Sequence, residues 1–193
     1  MDLACGYGRL LHYFSSQGYQ LITGVDISPD QVRCAREVVP DVQQMNVLDY
    51  LRVHPEEFDL ITSLDFVEHL RKPEVLKFFD ECMSALKPGG RLVLQTPNAD
   101  SPFGAAMRYG DITHELAFNC NSIGRLLTEA GFVDVEVRET GPVPLLYSVA
   151  SSVRFIAWQI IRSGLLAWNL AETGAAGSKV LTRNLLVSAR RSS

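Results

Sequence analysis

The chain has 193 residues, 47% of them hydrophobic and 21% charged, with a formal net charge of -4. This composition is expected to form one globular domain over residues 1–193, large enough to bury a core without disulfides or metal. It lacks the Lys/Arg footprint that a nucleic-acid partner demands, which argues against a DNA or RNA backbone. Cys5, Cys34, Cys82 and Cys120 form no C-x-x-C pair, and His12, His54, His69 and His114 lack zinc-motif spacing. Reduced thiols in a cytoplasmic protein, and no metal, are therefore expected.

Strand and helix patterns alternate along the chain. After the opening "MDLACGYG", residues 9–17 have helical periodicity through Leu10, Leu11 and Phe14, stopped by Gly18. "YQLITGVD" reads as a strand ending at Asp26. "SPDQVRCAREV" then starts a helix, with Ser28 as N-cap and Pro29 at the first helical position. "VQQMNV" and "FDLITSL" are further strands, and residues 73–86 form a helix through Val75, Phe79, Cys82 and Met83. "KPGG" turns into strand "RLVLQT"; a helix over "NSIGRLLTEAGF" follows, then strand "VDVEVRE" and a closing strand "VLTRNLLVSARR". Such alternation implies a mostly parallel sheet with helices on both faces.

Between the last two strands lie residues 141–180, longer than a hairpin needs. Val149, Val153, Ile156, Ile160 and Ile161 recur there at helical spacing. This insertion is expected to be a helix that covers the sheet or lids the pocket; a dimer face or a peripheral membrane contact is the alternative. Its apolar run is broken by Arg154, Gln159, Arg162 and Asn169, so no transmembrane span is expected. A monomer and a homodimer both remain open.

In an open α/β sheet, ligands bind at the carboxyl ends of the strands. Gly6 and Gly8 follow the first strand and let a backbone approach a ligand closely. A dinucleotide fingerprint wants a third glycine where Leu11 stands, which disfavours a pyrophosphate and a nicotinamide-dependent oxidoreductase. Asp26, at the end of the next strand, is suited to accept from both ribose hydroxyls, or to cap the helix that follows.

"DLACGYG", "GVDIS", "FDLITSLDFVEHL" and "LKPGGRLVLQTPN", in this order, resemble the class I S-adenosylmethionine-dependent methyltransferases. The resemblance runs from Asp2 to about Phe132. It implies a Rossmann-like three-layer sandwich with an antiparallel last strand and S-adenosyl-L-methionine as cofactor. In that pose Asp2, Ala4, Gly6 and Gly8 face the methionine end, with Asp2 holding its ammonium. Asp26 takes the ribose, Ile27 packs on the adenine, and Asn46 and Val47 meet the adenine edge. Many relatives carry Asp where Asn46 stands, and Asp49 is an alternative. Ser63, Leu64 and Asp65 line the methyl side. Relatives also place helices before the first strand, so the resemblance implies a chain that begins late.

The implied activity is methyl transfer to a small-molecule acceptor, with a hydroxyl oxygen of a sugar, quinone-like compound or secondary metabolite preferred. A catalytically weak or inactive cofactor-binding module that acts through a partner is the alternative. A hydroxyl acceptor benefits from a general base. The candidates are His114, in a Thr-His-Glu cluster that Glu115 could orient, and His69 in "DFVEHL". Asn98 in "TPNAD" is a further residue expected near the pocket.

Overall fold

A computed structural model describes residues 1–142, 145–175 and 177–193; the rest of the 141–180 insertion lies outside the described residues. Seven strands form one sheet in the order β3-β2-β1-β4-β5-β7-β6. β1 (Asp2–Leu3) is flanked by β2 (Gly24–Asp26) and β4 (Phe58–Leu64), both parallel to it. β3 (Val42–Gln44) pairs with β2, and β5 (Leu86–Pro97) with β4, also in parallel. β7 (Asn184–Arg190) is antiparallel to both β5 and β6 (Val133–Glu139). The mostly parallel sheet is the one that the alternating pattern implies, and its antiparallel last strand is the one that the family resemblance implies.

Helices pack on both faces. On one face α1 (Arg9–Ser16) and α2 (Pro29–Arg36) bury Leu11, Val32 and Ala35 with Cys5, Val39 and Val42. The larger core lies on the other face. There α3 (Val47–Arg52), α4 (Lys72–Ala85) and α6 (Cys120–Glu129) bring Leu51, Phe78, Phe79, Ile123 and Leu127 against Leu92 and Val187. α5 (Gly104–Tyr109) and α7 (Val149–Thr173) complete the chain.

Local chemistry explains the element boundaries. The Ser28 side chain accepts from the Gln31 N–H with Pro29 at the first position of α2, satisfying donors a helix start leaves unpaired. Gly131, at φ +92°, follows the end of α6 and returns the chain into β6.

Several expectations are corrected. β2 holds only Gly24–Asp26, because its parallel partner β3 offers only three residues to pair. The strand expected over 42–47 ends at Gln44. Asn46 accepts from the Leu48 N–H and caps α3, a helix that the pattern did not announce. β5 runs through "KPGG" from Leu86, with a register shift against β4 where a separate turn was expected. β7 starts at Asn184, later than Val180.

The insertion does contain a long helix, α7, but its apolar stripe does not cover the sheet. Val149, Val153, Ile156, Ile160 and Ile161 are all more than half exposed. The helix is tied from its other side, where Arg162 pairs with Glu139 at 3.3 Å and Trp158 and Leu165 line a crevice together with Phe103 and Leu181. No helix among the described residues is long and apolar enough to cross a membrane.

Candidate cofactor cleft and acceptor site

The strand order reverses direction between β1 and β4, and a cleft of about 560 Å3 opens at their carboxyl ends. Such a switch point is where doubly wound sheets bind ligands. Asp2, Ala4 and Gly6 line one side, Leu64 and Asp65 the other, and Gln95 closes it from β5. Ala4 and Asp65 both hold left-handed backbones, φ +51° and +52°, which non-glycine residues adopt at a cost of order 1–3 kcal/mol. Both face the cleft, where the strain aims the loop backbone across the sheet edge. The Gln95 side-chain amide donates to Asp65 at 3.2 Å, and the Asp65 N–H donates to the Gln95 carbonyl at 2.9 Å.

The two loop glycines are there for different reasons. Gly6 has φ +54° with no close neighbour, so its need is conformational. Gly8 has φ +86°, and a Cβ there would lie 3.2 Å from Ala35 of α2. It lets α1 approach α2 as well as turning the chain.

Asp26 is buried at the end of β2 and fastens this loop. One carboxylate oxygen accepts from the Gly6 N–H at 2.9 Å and the other from the Ser28 N–H at 2.8 Å. Each oxygen keeps a second acceptor site. The capping role considered from sequence and an outward-facing acceptor role therefore coexist in one side chain. Ile27 beside it is 67% exposed and offers an apolar surface.

Asp2 is 4% exposed and accepts from Thr62 Oγ1 at 2.7 Å. Burial pushes its carboxyl up to about 6, against the partly compensating Thr62 bond. Ser63 is buried, donating to the Leu3 carbonyl at 3.2 Å, so its side chain ties β4 to β1 and does not enter the cleft. The Val47 side chain likewise lies in the core, leaving only its backbone toward the edge. Asn46 is exposed at the head of α3, and Asp49 pairs with Arg52 at 3.3 Å on the surface. Asn98 is fully buried, donating to the carbonyls of Val180 and Thr182, so it anchors the approach to β7 and does not reach a pocket.

Two residues beyond Asp65 the chain enters a 3-10 turn, Val67–His69. His69 and His114 meet there with ring centroids 4.8 Å apart, edge to face. The His114 loop is docked through its backbone: the N–H groups of Glu115 and Leu116 donate to the Glu68 carbonyl at 2.9 and 3.0 Å. Arg108 donates to the carbonyls of His114 and Glu115. The Glu115 side chain is exposed, and it is the backbone of this residue that positions His114.

Both imidazoles have defined tautomers. His114 Nδ1 faces the Met107 carbonyl at 2.9 Å and must donate to it, leaving a lone pair on Nε2. His69 Nδ1 lies 2.9 Å from Thr113 Oγ1 and 3.2 Å from the Thr113 carbonyl. Because Thr113 Oγ1 already donates to Asp111 at 2.6 Å, His69 Nδ1 donates as well, and its Nε2 also presents a lone pair.

Sequence reading passed over Glu68. It is 1% exposed, and one oxygen accepts from the buried Thr96 hydroxyl at 3.0 Å. The other has no hydrogen-bond partner among the described residues. Burial pushes its carboxyl up to about 7. The available signal was an acid within the apolar run "DFVEHL", a residue type that is almost never fully buried unless paired.

The family model "Methyltransferase domain" matches residues 1–94, which contain the cleft's glycine loop and β4. The chain is 35% identical over 104 residues to the Ubiquinone biosynthesis O-methyltransferase of Xanthomonas campestris, covering 51% of this chain and 42% of that protein. It thus spans less than half the length of that relative. The crystal structure of a SAM-dependent methyltransferase from Archaeoglobus fulgidus superposes with a TM-score of 0.75 at 21% identity, over 98% of this chain and 84% of its own. A phosphoethanolamine N-methyltransferase from Haemonchus contortus gives 0.67 at 19%, over all of this chain and 48% of its own. The glycine loop and the acid closing β2 lie within the matched residues, and the chain is similar to the S-adenosylmethionine-dependent methyltransferases and shares their fold.

Proposed function

We propose that this chain methylates a hydroxyl oxygen of a small molecule, with S-adenosyl-L-methionine as donor. The observation that carries this reading is the position of the His69–His114 pair, just past the β4 end that lines the cleft, with both Nε2 lone pairs prepared by fixed partners. The similarity to an O-methyltransferase supports an oxygen acceptor.

The cleft residues fit the donor. Asp2, as a carboxylate, holds the ammonium of its methionine end. The spare acceptor sites of Asp26 take the ribose hydroxyls while its two backbone bonds keep the loop in place. Exposed Ile27 packs on the purine, and Asn46 with the Val47 N–H meets its edge. The backbone of Ala4, Gly6 and Gly8, with Leu64 and Asp65, encloses the methyl side. When bound, this donor supplies an electrophilic methyl group on a sulfonium, which leaves the protein to align the acceptor and activate its oxygen. That activation falls to the imidazole pair.

Calorimetric titration with S-adenosylhomocysteine, using NAD as control, tests the cleft. Micromolar binding of the first alone is expected. Labelled methyl transfer to catechol-type and sugar hydroxyl acceptors then tests the reaction. Binding without transfer to any acceptor class would favour a cofactor-binding module instead.

A further inference from the structure

We propose that Glu68, His69 and His114 bind a divalent metal ion of the zinc, manganese or cobalt kind, and that this ion carries the acceptor oxygen. The use made of the ion rests on the methyl-transfer reading; its binding does not. The inference departs from the metal-free expectation drawn from histidine spacing, because the candidate ligands come from two separate segments.

One ligand atom from each of the three residues lies within 4.8 Å of one from each of the others. Tetrahedral ligands about 2.1 Å from a zinc ion stand about 3.4 Å apart, so an ion would draw the three together by roughly an ångström. Proximity alone would be weak. A second observation is independent of proximity: Glu68 is 1% exposed, and one of its two oxygens has no hydrogen-bond partner among the described residues. A buried carboxylate oxygen left bare is costly unless something positive meets it.

A third observation concerns the imidazoles. A histidine that ligates metal usually donates its other ring N–H to a carbonyl or carboxylate, which fixes the tautomer. Here His114 donates to the Met107 carbonyl and His69 to Thr113, which is itself held by Asp111. Both rings keep Nε2 as the unprotonated nitrogen. Glu68 has a comparable support, because Thr96 occupies its other oxygen. Two imidazoles and one carboxylate form a ligand set that leaves coordination positions open, as in catalytic rather than structural sites.

The assignment changes what the histidines do. As ligands they would position the acceptor; bound to the ion, its hydroxyl would lose its proton to solvent water, and the oxygen would then form the O–CH3 bond as the S–CH3 bond breaks and the sulfonium leaves as a thioether. An acceptor with two adjacent oxygens would satisfy two open positions at once, which selects vicinal hydroxyls over isolated ones.

The test uses the full chain stripped with a chelator and titrated separately with Zn2+, Mn2+ and Co2+, followed by calorimetry with S-adenosylhomocysteine. One ion per chain is expected for at least one metal. Glu68→Gln and His114→Ala should each weaken that binding by at least about 30-fold. His12→Ala and Cys34→Ser, both at exposed positions outside the cluster, should leave it unchanged. Circular dichroism and retained S-adenosylhomocysteine binding establish that each variant is folded. No saturable uptake of any of the three ions, or uptake that survives both Glu68→Gln and His114→Ala, overturns the proposal. Metal uptake in a chain that fails to bind S-adenosylhomocysteine would uphold it and sink the methyl-transfer reading instead.

Discussion

At the glycine loop, the side chain of Asp26 fixes backbone: it holds the N–H groups of Gly6 and Ser28, 20 and 2 residues away. At the imidazole pair the relation is inverted. There backbone fixes side chains, as the Met107 and Thr113 carbonyls set the tautomers of His114 and His69, and the Glu68 carbonyl docks the loop. The first arrangement presents peptide groups to a ligand and depends on glycine. The second presents lone pairs and depends on contacts between distant segments. A substitution should therefore damage the first region by distorting the chain and the second by misdirecting an atom.

The largest effect is expected at Gly8. A valine there would hold a left-handed backbone and push its Cβ against Ala35, at a combined cost of about 3 kcal/mol. Gly8→Val should lower the denaturation midpoint and abolish S-adenosylhomocysteine binding. Gly18→Val shares a positive φ but has no heavy atom nearby, so it should cost only the backbone strain and spare the cleft. Equal losses in the two variants would show that packing of α1 on α2 is not what Gly8 provides.

Asp26→Ala comes next. It leaves the Gly6 and Ser28 N–H groups without their acceptor, a penalty of about 1–3 kcal/mol for each that stays buried. Affinity for S-adenosylhomocysteine should fall by more than the loss of ribose contacts alone requires. Asp26→Asn keeps one acceptor oxygen and should retain roughly half of the loop's support. A chain whose stability ignores both variants would mean that the loop holds its shape unaided.

These two regions were not equally legible in the sequence. The glycine spacing, the acid at the end of β2 and the Ser28-Pro29 helix start are local signals, because the groups that use them are near in the chain. β4 could be read from its apolar run. The core position of Val47 was hidden, since Asn46 reads as the end of a strand and is in fact the cap of α3. Asn98 looked like a pocket residue in a turn, yet its partners, the carbonyls of Val180 and Thr182, come from the far end of the insertion. Glu68 was invisible for the same reason: Thr96 and the His114 segment that surround it are assembled only when β5 and the loop before α6 come together. Short-range hydrogen bonds leave a trace in the sequence; long-range convergence of side chains leaves almost none.

A smaller, pH-dependent effect separates the two demands on Asp2. The folded carboxyl titrates at about 6 against an ordinary 3.8. The folded chain thus binds this proton more tightly than the unfolded one, and the contribution of Asp2 to stability falls as pH rises from about 4 to about 6. Cofactor affinity should move the other way, because an ammonium is held only by the carboxylate. Below pH 6 it should weaken by about tenfold per unit. Thr62→Val removes the hydrogen bond that favours the ionised form and should shift the affinity midpoint upward. Parallel movement of stability and affinity through this window would remove Asp2 from the ammonium site.

The smallest effect is expected on α7, which contrasts with both regions by contributing a face rather than a site. Ile156 and Ile160 are 54% and 70% exposed on a helix whose opposite side carries Trp158 and Arg162. Little apolar surface leaves water there on folding, so Ile156→Ser and Ile160→Ser should each change the stability of the isolated chain by less than about 0.5 kcal/mol. Leu165→Ala, at a half-buried position lining the crevice, removes apolar surface that is partly covered and should cost measurably more. Chemical denaturation of the three variants gives the order directly. If the two serine variants lose as much as Leu165→Ala, the stripe is buried in solution, and α7 belongs with the core rather than with the surface.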